Sequence, residues 1–483
     1  IPTLINGLLY FFFGASPVYF HIFNILLHAL NAFLAFTLLK RLSFSHIFSF
    51  IVAVFFVIHP VQTESVSYIA GMTDLLAACF VLLTLTVFAK KELTRKDLLL
   101  CTLLTMLALL SKESNVMLAA LMLTVWYAGL TKVVTSKRMH FLAIATALLF
   151  SILLLIARFT ILDFNSTGIG LATEANEYTT NLIVRLITFV STIPTYLGLI
   201  FFPLNLYFFK PYVYATTLLT PLGITGLILI GGSIAGVIFN HFNSKSRSVG
   251  TENRQTSFAV LWFFILLIPV SGIIPANAIY TEHWLYLPLL GILIIVGVGV
   301  TKLFEIFHWE GKSEGKPLVS LAVLAVLAVL AVLLFARTFE RNTEWRDEFK
   351  FYENELKYNP DAPRILNEVG VQYFKKKEYS QAIGYYIRAI AIKPDFGPLY
   401  FNLANSYMNL GQTDLAIAAY YDALKYEQMP DAYVALYQIY KSILNQPVKA
   451  AFIKSVVERL EKGEKVEYYE LQMIRGITEE RVE

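Results

Sequence analysis

The sequence is short of charge. Charged residues make up 15% of its 483 residues, whereas hydrophobic residues make up 57%. A soluble domain carries about 25% charged residues, because its outer surface faces water. This chain has too few charges to coat a soluble body of its length, and a lipid bilayer is the solvent that suits such a surface. The scarcity of charge therefore excludes a soluble enzyme.

Cysteine and net charge are also low. Cys79 and Cys101 are the two cysteines, and both lie in apolar runs. Their spacing indicates neither a metal site nor a disulfide framework. The net charge of +4 is spread along the chain, so we predict no nucleic-acid partner. Because the sequence begins at Ile1 without a signal peptide, we expect a further segment to precede it in the natural protein.

Long apolar runs fill the first two thirds of the chain. A helix needs roughly 20 apolar residues to cross about 30 Å of hydrocarbon. Runs near this length lie at 18–39, 44–58, 74–89, 97–111, 114–131, 140–158, 217–240, 257–271, 284–304 and 318–336. They predict an all-α, polytopic transmembrane helix bundle over residues 1–336, with about ten spans.

Basic residues between the runs predict the orientation, because cytoplasmic loops are enriched in Lys and Arg. Such residues follow every second run: Lys40, Arg41, Lys90, Lys91, Arg95, Lys96, Lys132, Lys137, Arg138, Lys245, Arg247, Arg254, Lys302, Lys312 and Lys316. All of them can be cytoplasmic together if 186–210 makes no single crossing. That stretch contains Pro194, Pro203 and Pro211, which favour a re-entrant or interfacial helix. Everything after Arg337 is then extracytoplasmic.

A period of 34 residues follows the last run. Small and aromatic residues recur at Gly370, Tyr373, Ala382, Tyr386, Ala389 and Pro394, and then at Ala404, Tyr407, Ala416, Tyr420 and Ala423. This pattern is typical of tetratricopeptide repeats, in which it packs two antiparallel helices per repeat. We predict a connecting helix over 337–362, an α-helical solenoid of repeats over 363–448 and a charged capping tail over 449–483. Stacked repeats present a concave face, which suits a protein partner.

Polar residues in the first run need an explanation, because they are costly in a membrane. His21, Asn24, His28 and Asn31 lie on one helical stripe. They either line a substrate cavity or join helices by hydrogen bonds. We favour the second role for Asn31 and leave both open for His21.

Three further segments place ionisable groups at the predicted outer surface. In HPVQTES, His59 and Glu64 flank a helix-breaking proline, and Asp74 follows in GMTD. A histidine and a carboxylate this close can share a proton, bind a divalent ion or orient a sugar, but they can equally cap helices. In SKES and YTEHWLYLP, Lys112 and the pair Glu282–His283 lie in short outer connections. Lys112 suits a lipid phosphate or an ordinary solvated turn, and the same alternatives apply to the two arginines at 158 and 185.

Several of these segments resemble one family when they are taken in order. They are HIFNILLHALNA, HPVQTESVSYIAGMTDLLAA, LLSKES, IPTYLGLIFFPLNL, TEHWLYLPLLG and RNTEW, followed by the repeats. Together they resemble the transmembrane-and-tetratricopeptide O-mannosyltransferase-like proteins of the GT-C glycosyltransferase superfamily. One departure is His283, where members of that family often have arginine.

The resemblance implies a GT-C-type membrane bundle and an enzyme. Such an enzyme transfers a sugar, expected to be mannose, from a polyprenyl phosphate to a protein hydroxyl with inversion, on the outer side of a bacterial inner membrane or the endoplasmic reticulum. The catalytic acidic motif of the superfamily lies in an outer loop that this sequence does not contain. No definite cofactor is predicted, and a divalent cation stays an open alternative.

The candidate residues follow from the resemblance and from the chemistry above. The catalytic candidates are His59, Glu64, Asp74 and Glu282; the candidate ligands of the donor phosphate are Lys112, Arg158, Arg185 and His283; the candidate cavity-lining residues are His21, Asn24 and His28. The repeats are expected to recruit the acceptor protein. A non-catalytic scaffold is the alternative function, and a transporter is disfavoured because the spans show no internal repeat.

Overall fold

The structure is a computed structural model that describes residues 1–127, 137–161, 177–210, 213–243, 250–274, 278–309 and 316–464, with 466, 470, 473 and 474. The chain forms two compact units, Ile1–Thr343 and Glu344–Glu483. The described residues contain helices and no β-strand, as the all-α prediction required. The domain limits drawn from the sequence stay predictions.

Fourteen α-helices begin in the described part of the first unit. They are α1 (Pro2–Phe13), α2 (Pro17–Arg41), α3 (His46–Ile58), α4 (Thr63–Ser67), α5 (Met72–Phe88), α6 (Arg95–Ser111), α7 (Leu118–Tyr127), α8 (Lys137–Thr160), α9 (Glu177–Thr180), α10 (Leu182–Phe201), α11 (Pro221–Asn243), α12 (Gly250–Leu267), α13 (Pro288–Trp309) and α14 (Lys316–Arg346). Each predicted apolar run overlaps one of them. The sequence analysis did not anticipate α1, and it ended the last span well before α14 ends.

Seven of these helices are long and apolar enough to cross a membrane, or up to eight if the bent pair His46–Ile58 and Pro60–Ser67 is one span. The count covers the described residues only. It includes α10, which the sequence analysis did not regard as a crossing.

The described basic loops lie together at one end of the bundle. The Arg41 guanidinium donates to the carbonyl of Thr86, and His140 Nε2 donates to the carbonyl of Lys90 at 3.2 Å. Lys302 lies 3.9 Å from Glu252 on the neighbouring helix. We call this the basic end. The predicted basic residues at 132, 245, 247 and 312 lie outside the described residues.

Both ends of α10 contact the end of the bundle that lies opposite the basic end. Near its start, Arg185 Nε donates to the carbonyl of Gly272 at 2.5 Å, in the connection between α12 and α13. At the C-terminal end of α10, the carbonyl of Ile200 accepts from Nε2 of His59 at 2.9 Å, and His59 lies in the connection after α3. A 20-residue helix is about 30 Å long and would join opposite ends if it crossed directly. We therefore interpret α10 as a re-entrant or interfacial helix, although its length and composition alone suit a crossing.

The described part of the second unit contains α15 (Glu348–Tyr358), α16 (Pro363–Lys375), α17 (Tyr379–Ile392), α18 (Gly397–Asn409), α19 (Thr413–Tyr426), α20 (Pro430–Gln438) and α21 (Pro447–Glu461), with a π-helical turn at Ile439–Ile443. Ala382, Ala389, Ala404, Ala416 and Ala423 are fully buried, so the small residues of the sequence period are the ones that let paired helices approach. A Cβ added at Gly370 would lie 2.5 Å from the Tyr386 ring, which explains the glycine at the first repeat position.

Candidate functional site

The break after α3 creates the first part of the site. Pro60 lacks an N–H and cannot continue the helix, so the chain bends by 55° between α3 and the following turns. The bend brings Glu64, on α4, back into the bundle, where it is 2% exposed. A buried carboxylate needs partners that satisfy its charge. We call this part of the bundle the site end.

Those partners are Glu282 and His283, at the start of the turn before α13. Glu64 Oε2 accepts the backbone N–H groups of Glu282 at 3.0 Å and His283 at 3.2 Å. Its Oε1 lies 2.5 Å from His283 Nδ1, which must be the donor to a carboxylate. Glu64 thus fixes the orientation of the imidazole and leaves Nε2, 3.4 Å from Thr281 Oγ1, on the side away from the carboxylate.

Glu282 forms a second buried ion pair. Its Oε1 accepts from Lys210 Nζ at 2.7 Å and from the backbone N–H of Tyr207 at 2.8 Å. The side chains of Lys210 and Glu282 are 2% and 0% exposed. The Lys210 ammonium also lies 3.7 Å from the centre of the Tyr207 ring, a cation–π contact. Burial raises the pKa of the Glu282 carboxyl, and Lys210 acts in the opposite direction.

A small cavity lies between α5, the turn before α7 and the connection before α13. Asp74, Lys112 and His283 line it and supply a carboxylate, an ammonium and an imidazole. The Lys112 ammonium forms an ion pair with Asp74. Trp284, Tyr286 and Leu287 contribute most of the apolar wall on the α13 side. The cavity therefore combines a cation, a carboxylate and an oriented imidazole with an apolar wall.

The two predicted arginines have other contacts. Arg158 NH1 lies 2.8 Å from Glu113 Oε1. Arg185 is 9% exposed and donates to the carbonyls of Gly272, Tyr178 and Thr179. The contacts of Arg185 join α10 to the neighbouring connections. Neither arginine lines the cavity described above.

The polar stripe of α2 joins elements of the bundle. Asn24 Nδ2 donates to the carbonyls of Val66 and Tyr68, both at 3.2 Å. His28 Nε2 donates to the carbonyl of Val57 at 3.2 Å, which leaves Nδ1 to accept from the Tyr286 hydroxyl at 2.8 Å. The same hydroxyl accepts from the amide of Asn31 at 3.1 Å. These contacts favour the helix-joining alternative, while His21 is partly exposed.

His59 uses both ring nitrogens in backbone contacts. Its Nδ1 accepts from the N–H of Val61 at 3.2 Å, and its Nε2 donates to the carbonyl of Ile200. The side chain is 2% exposed. These contacts match the capping alternative for His59, and its predicted catalytic role remains a prediction.

Sequence reasoning missed Lys210, Tyr207 and Arg341. The first two lie in a proline- and aromatic-rich connection that was considered only for its topology. A lone lysine in such a connection was a signal that this part of the chain contacts an acid. Arg341, in α14, is 0% exposed and lowers the pKa of Glu282 through its charge. It lies beyond the predicted end of the last span, in a segment of mixed charge where an arginine does not indicate a buried site.

Metal ligands are a separate question. Within the described ranges, no group of three or more His, Cys, Asp or Glu residues is placed to hold a metal ion. The divalent cation that the sequence left open stays a prediction.

The fold and the site end define a multi-pass membrane protein with a C-terminal unit of tetratricopeptide repeats. Family models described as "TPR repeat" and "Tetratricopeptide repeat" match residues 370–411 and 397–428. These matches confirm the repeats that the 34-residue period predicted.

Curated relatives match most of the chain. Protein O-mannosyl-transferase TMTC3 of Mus musculus is 22% identical over 438 residues, which is 84% of this chain and 45% of the relative. The Homo sapiens protein of the same name is 23% identical over 434 residues, with 84% and 46% covered. Protein O-mannosyl-transferase Tmtc1 of Drosophila melanogaster is 22% identical over 476 residues, with 81% and 53% covered.

These relatives confirm the resemblance to the transmembrane-and-tetratricopeptide O-mannosyltransferase-like family. The chain spans about half the length of the curated relatives it matches.

Proposed function

We propose that the chain is an integral-membrane glycosyltransferase. In this proposal it moves a sugar, expected to be mannose, from a polyprenyl-phosphate donor to a protein hydroxyl on the extracytoplasmic side, and the repeats recruit the acceptor. The observation that carries the proposal is the convergence of Glu64, Asp74, Lys112, Glu282 and His283 at the end of the bundle opposite the basic loops. The names of the relatives support the reaction class.

The cavity residues suit the departure of a lipid phosphate. In a direct inverting displacement, the acceptor oxygen bonds to the anomeric carbon as the bond from that carbon to the phosphate oxygen breaks. Lys112 and His283 stabilise the negative charge that develops on the leaving phosphate. Asp74 positions Lys112, and Glu64 positions His283. The resemblance assigns the proton of the acceptor hydroxyl to a carboxylate of the acidic loop motif of the superfamily.

Glu282 has a supporting role in this scheme. With Lys210 and the Tyr207 N–H it fixes the connection after α10 against the turn that carries His283. A catalytic group must be held close to its productive geometry, and such contacts supply that constraint.

The test compares two lysine–aspartate ion pairs. Lys112→Met removes the cavity cation, and Lys90→Met removes a lysine that lies 2.5 Å from Asp97 near the basic end. Transfer from polyprenyl-phosphate mannose to a hydroxyl-bearing acceptor is measured in membranes that contain the full-length protein. Loss of one charge-stabilising group costs on the order of 10²-fold in rate, so Lys112→Met should fall by this factor while Lys90→Met transfers normally.

Equal transfer by the two variants would remove Lys112 from the reaction. A complete lack of transfer by the unaltered protein, with any polyprenyl-phosphate sugar, would favour the non-catalytic scaffold. In that case the repeats would still supply the partner-binding surface.

A further inference from the structure

The first unit contains an apolar groove that the proposed sugar transfer does not use. It is lined by α3 from Ser45 to Phe55, by α13 from Leu293 to Thr301 and by α14 from Leu324 to Leu330. Its volume is about 420 Å³. Ser45 begins the helix that follows the basic connection after α2, and Thr301 precedes Lys302. The groove therefore lies in the half of the bundle near the basic end, and we call it the basic-end groove.

The groove exists because α14 is held against the bundle at one end only. Near the site end, Arg337 Nε donates to the carbonyl of Pro203 at 3.2 Å, and Thr338 Oγ1 donates to the carbonyl of Ile58 at 2.6 Å. Toward the basic end, Leu324 is 53% exposed although it lines the groove. The side chains of α14 thus leave a space along this half of the helix.

The floor of the groove is closed, because α3 and α13 are in close contact. A Cβ added at Gly297 would lie 2.7 Å from the ring of Phe48, so the glycine lets the two helices approach. The space is therefore a concave site between three helices and is not a gap that runs through the bundle.

The length and polarity of the groove match one acyl chain. From Ser45 to Phe55, α3 rises about 15 Å, which is half of the roughly 30 Å of hydrocarbon in a bilayer. The lining is apolar except for the hydroxyl groups of Ser45 and Thr301, which both lie at the basic end. A space of this kind in a bilayer loses dispersion contacts unless a lipid chain fills it.

Positive charge lies beside the polar end of the groove. Lys302 follows Thr301, and its side chain is 44% exposed. The sequence predicts that this end of the bundle is cytoplasmic, and anionic lipids of the cytoplasmic leaflet are attracted to basic residues at the membrane surface. The charge therefore favours a lipid with an anionic headgroup.

We propose that the basic-end groove binds an anionic glycerophospholipid. One acyl chain lies between α3, α13 and α14, and the phosphate lies beside Ser45, Thr301 and Lys302. The lipid joins α14 to the bundle along the half where side chains do not. The proposal does not depend on sugar transfer.

A polyprenyl-phosphate donor fits this groove less well. The proposed donor phosphate lies beside Lys112, at the site end, so its tail enters the membrane from the opposite leaflet. The polar end of the groove is at Ser45 and Thr301, near the basic end. A donor in the groove would have its phosphate at the wrong side of the bundle.

The experiment uses the full chain in nanodiscs of phosphatidylcholine. The probe is a phosphatidylglycerol that carries a photoactivatable diazirine in one acyl chain, and mass spectrometry locates the cross-linked peptides. Labelling should concentrate on the groove segments of α3, α13 and α14. A phosphatidylcholine probe with the same chain should need about a tenfold higher concentration for equal labelling, which is about 1.4 kcal/mol.

Two variants fill the groove from opposite sides. Val296→Trp and Leu327→Trp should each lower the labelling of α3 about tenfold at a fixed probe concentration, because the indole occupies the place of the acyl chain. Val332→Trp is the matched control, since Val332 is 65% exposed on α14 and does not line the groove, and it should leave the labelling unchanged. Circular dichroism and gel filtration check that each variant folds, and the second variant keeps the test available if the first does not.

Three outcomes would overturn the proposal. Equal labelling of the groove-filling variants and the control, or labelling spread evenly over all lipid-facing helices, would indicate ordinary contact with bulk lipid. Equal labelling by the two headgroups would contradict the anionic ligand. Stronger labelling by a diazirine-bearing polyprenyl phosphate would assign the groove to the donor tail. Because no sugar is transferred in this assay, its failure is distinct from a failure of the proposed function.

Discussion

The ion pair between Lys210 and Glu282 offers the sharpest test of how the site end is held together. Glu282→Gln keeps the shape of the side chain and removes its charge, which leaves the ammonium of Lys210 buried without its carboxylate. Both side chains are at most 2% exposed. Removal of one partner of a buried ion pair costs about 3–5 kcal/mol, because the remaining charge is uncompensated.

The double variant Glu282→Gln/Lys210→Met should recover much of this loss. Replacement of a whole buried ion pair by uncharged residues of similar volume is often close to neutral. The coupling between the two positions, taken from the double-mutant cycle, should therefore reach about 2–3 kcal/mol. Its sign should show that the second substitution offsets the first.

The assay is the free energy of unfolding of the full chain in mixed detergent micelles. Lys302→Met is the matched control, since Lys302 is 44% exposed and lies 3.9 Å from Glu252 in the same unit. Exposed pairs contribute about 0.2–1 kcal/mol, so this control should shift the free energy of unfolding only within that range. Equal losses from Glu282→Gln and Lys302→Met, or strict additivity in the cycle, would refute the account of a tightly packed, desolvated pair.

Three further outcomes are expected. Gly370→Ala should destabilise the repeat unit by about 1–3 kcal/mol, because the new Cβ meets the Tyr386 ring, whereas Gly384→Ala has nothing within 4 Å and should not; amide hydrogen exchange distinguishes them. A cysteine introduced at Asn409 should react with an impermeant thiol reagent from the extracytoplasmic side, and labelling that requires membrane disruption would reverse the predicted topology. Glu64→Gln should lower sugar transfer in a full-length protein at least tenfold, or about 1.4 kcal/mol, and normal turnover would restrict Glu64 to capping.

The repeats were the most predictable part of the chain. Their signal is local, because each small residue in the 34-residue period must fit against a helix close by in the sequence. Gly370 against Tyr386 shows this directly, since a Cβ at the first position would enter the ring of the second. A small residue recurs at this position one period later, as Ala404, and the recurrence becomes visible as a period.

The candidate site was predictable only in part. Glu64, Asp74 and His283 could be selected as candidates because placing an ionisable group beside an apolar run costs free energy in a membrane. The partners that satisfy them come from distant parts of the chain. Lys210 is 72 residues from Glu282, and no local pattern relates the two. The sequence could therefore indicate which acids need a partner, but it did not identify the partner.

The placement of α10 has a consequence for any attempt to assign sidedness by counting apolar segments. A segment that leaves and returns at the same end adds nothing to the number of crossings, whatever its hydropathy. If it is counted as one, the inferred compartment of every later loop is reversed. Whether the proline-bearing helix Leu182–Phe201 is counted as a crossing therefore decides whether an odd or an even number of crossings precedes each later loop. Its interpretation decides in which compartment a partner of the repeats should be sought.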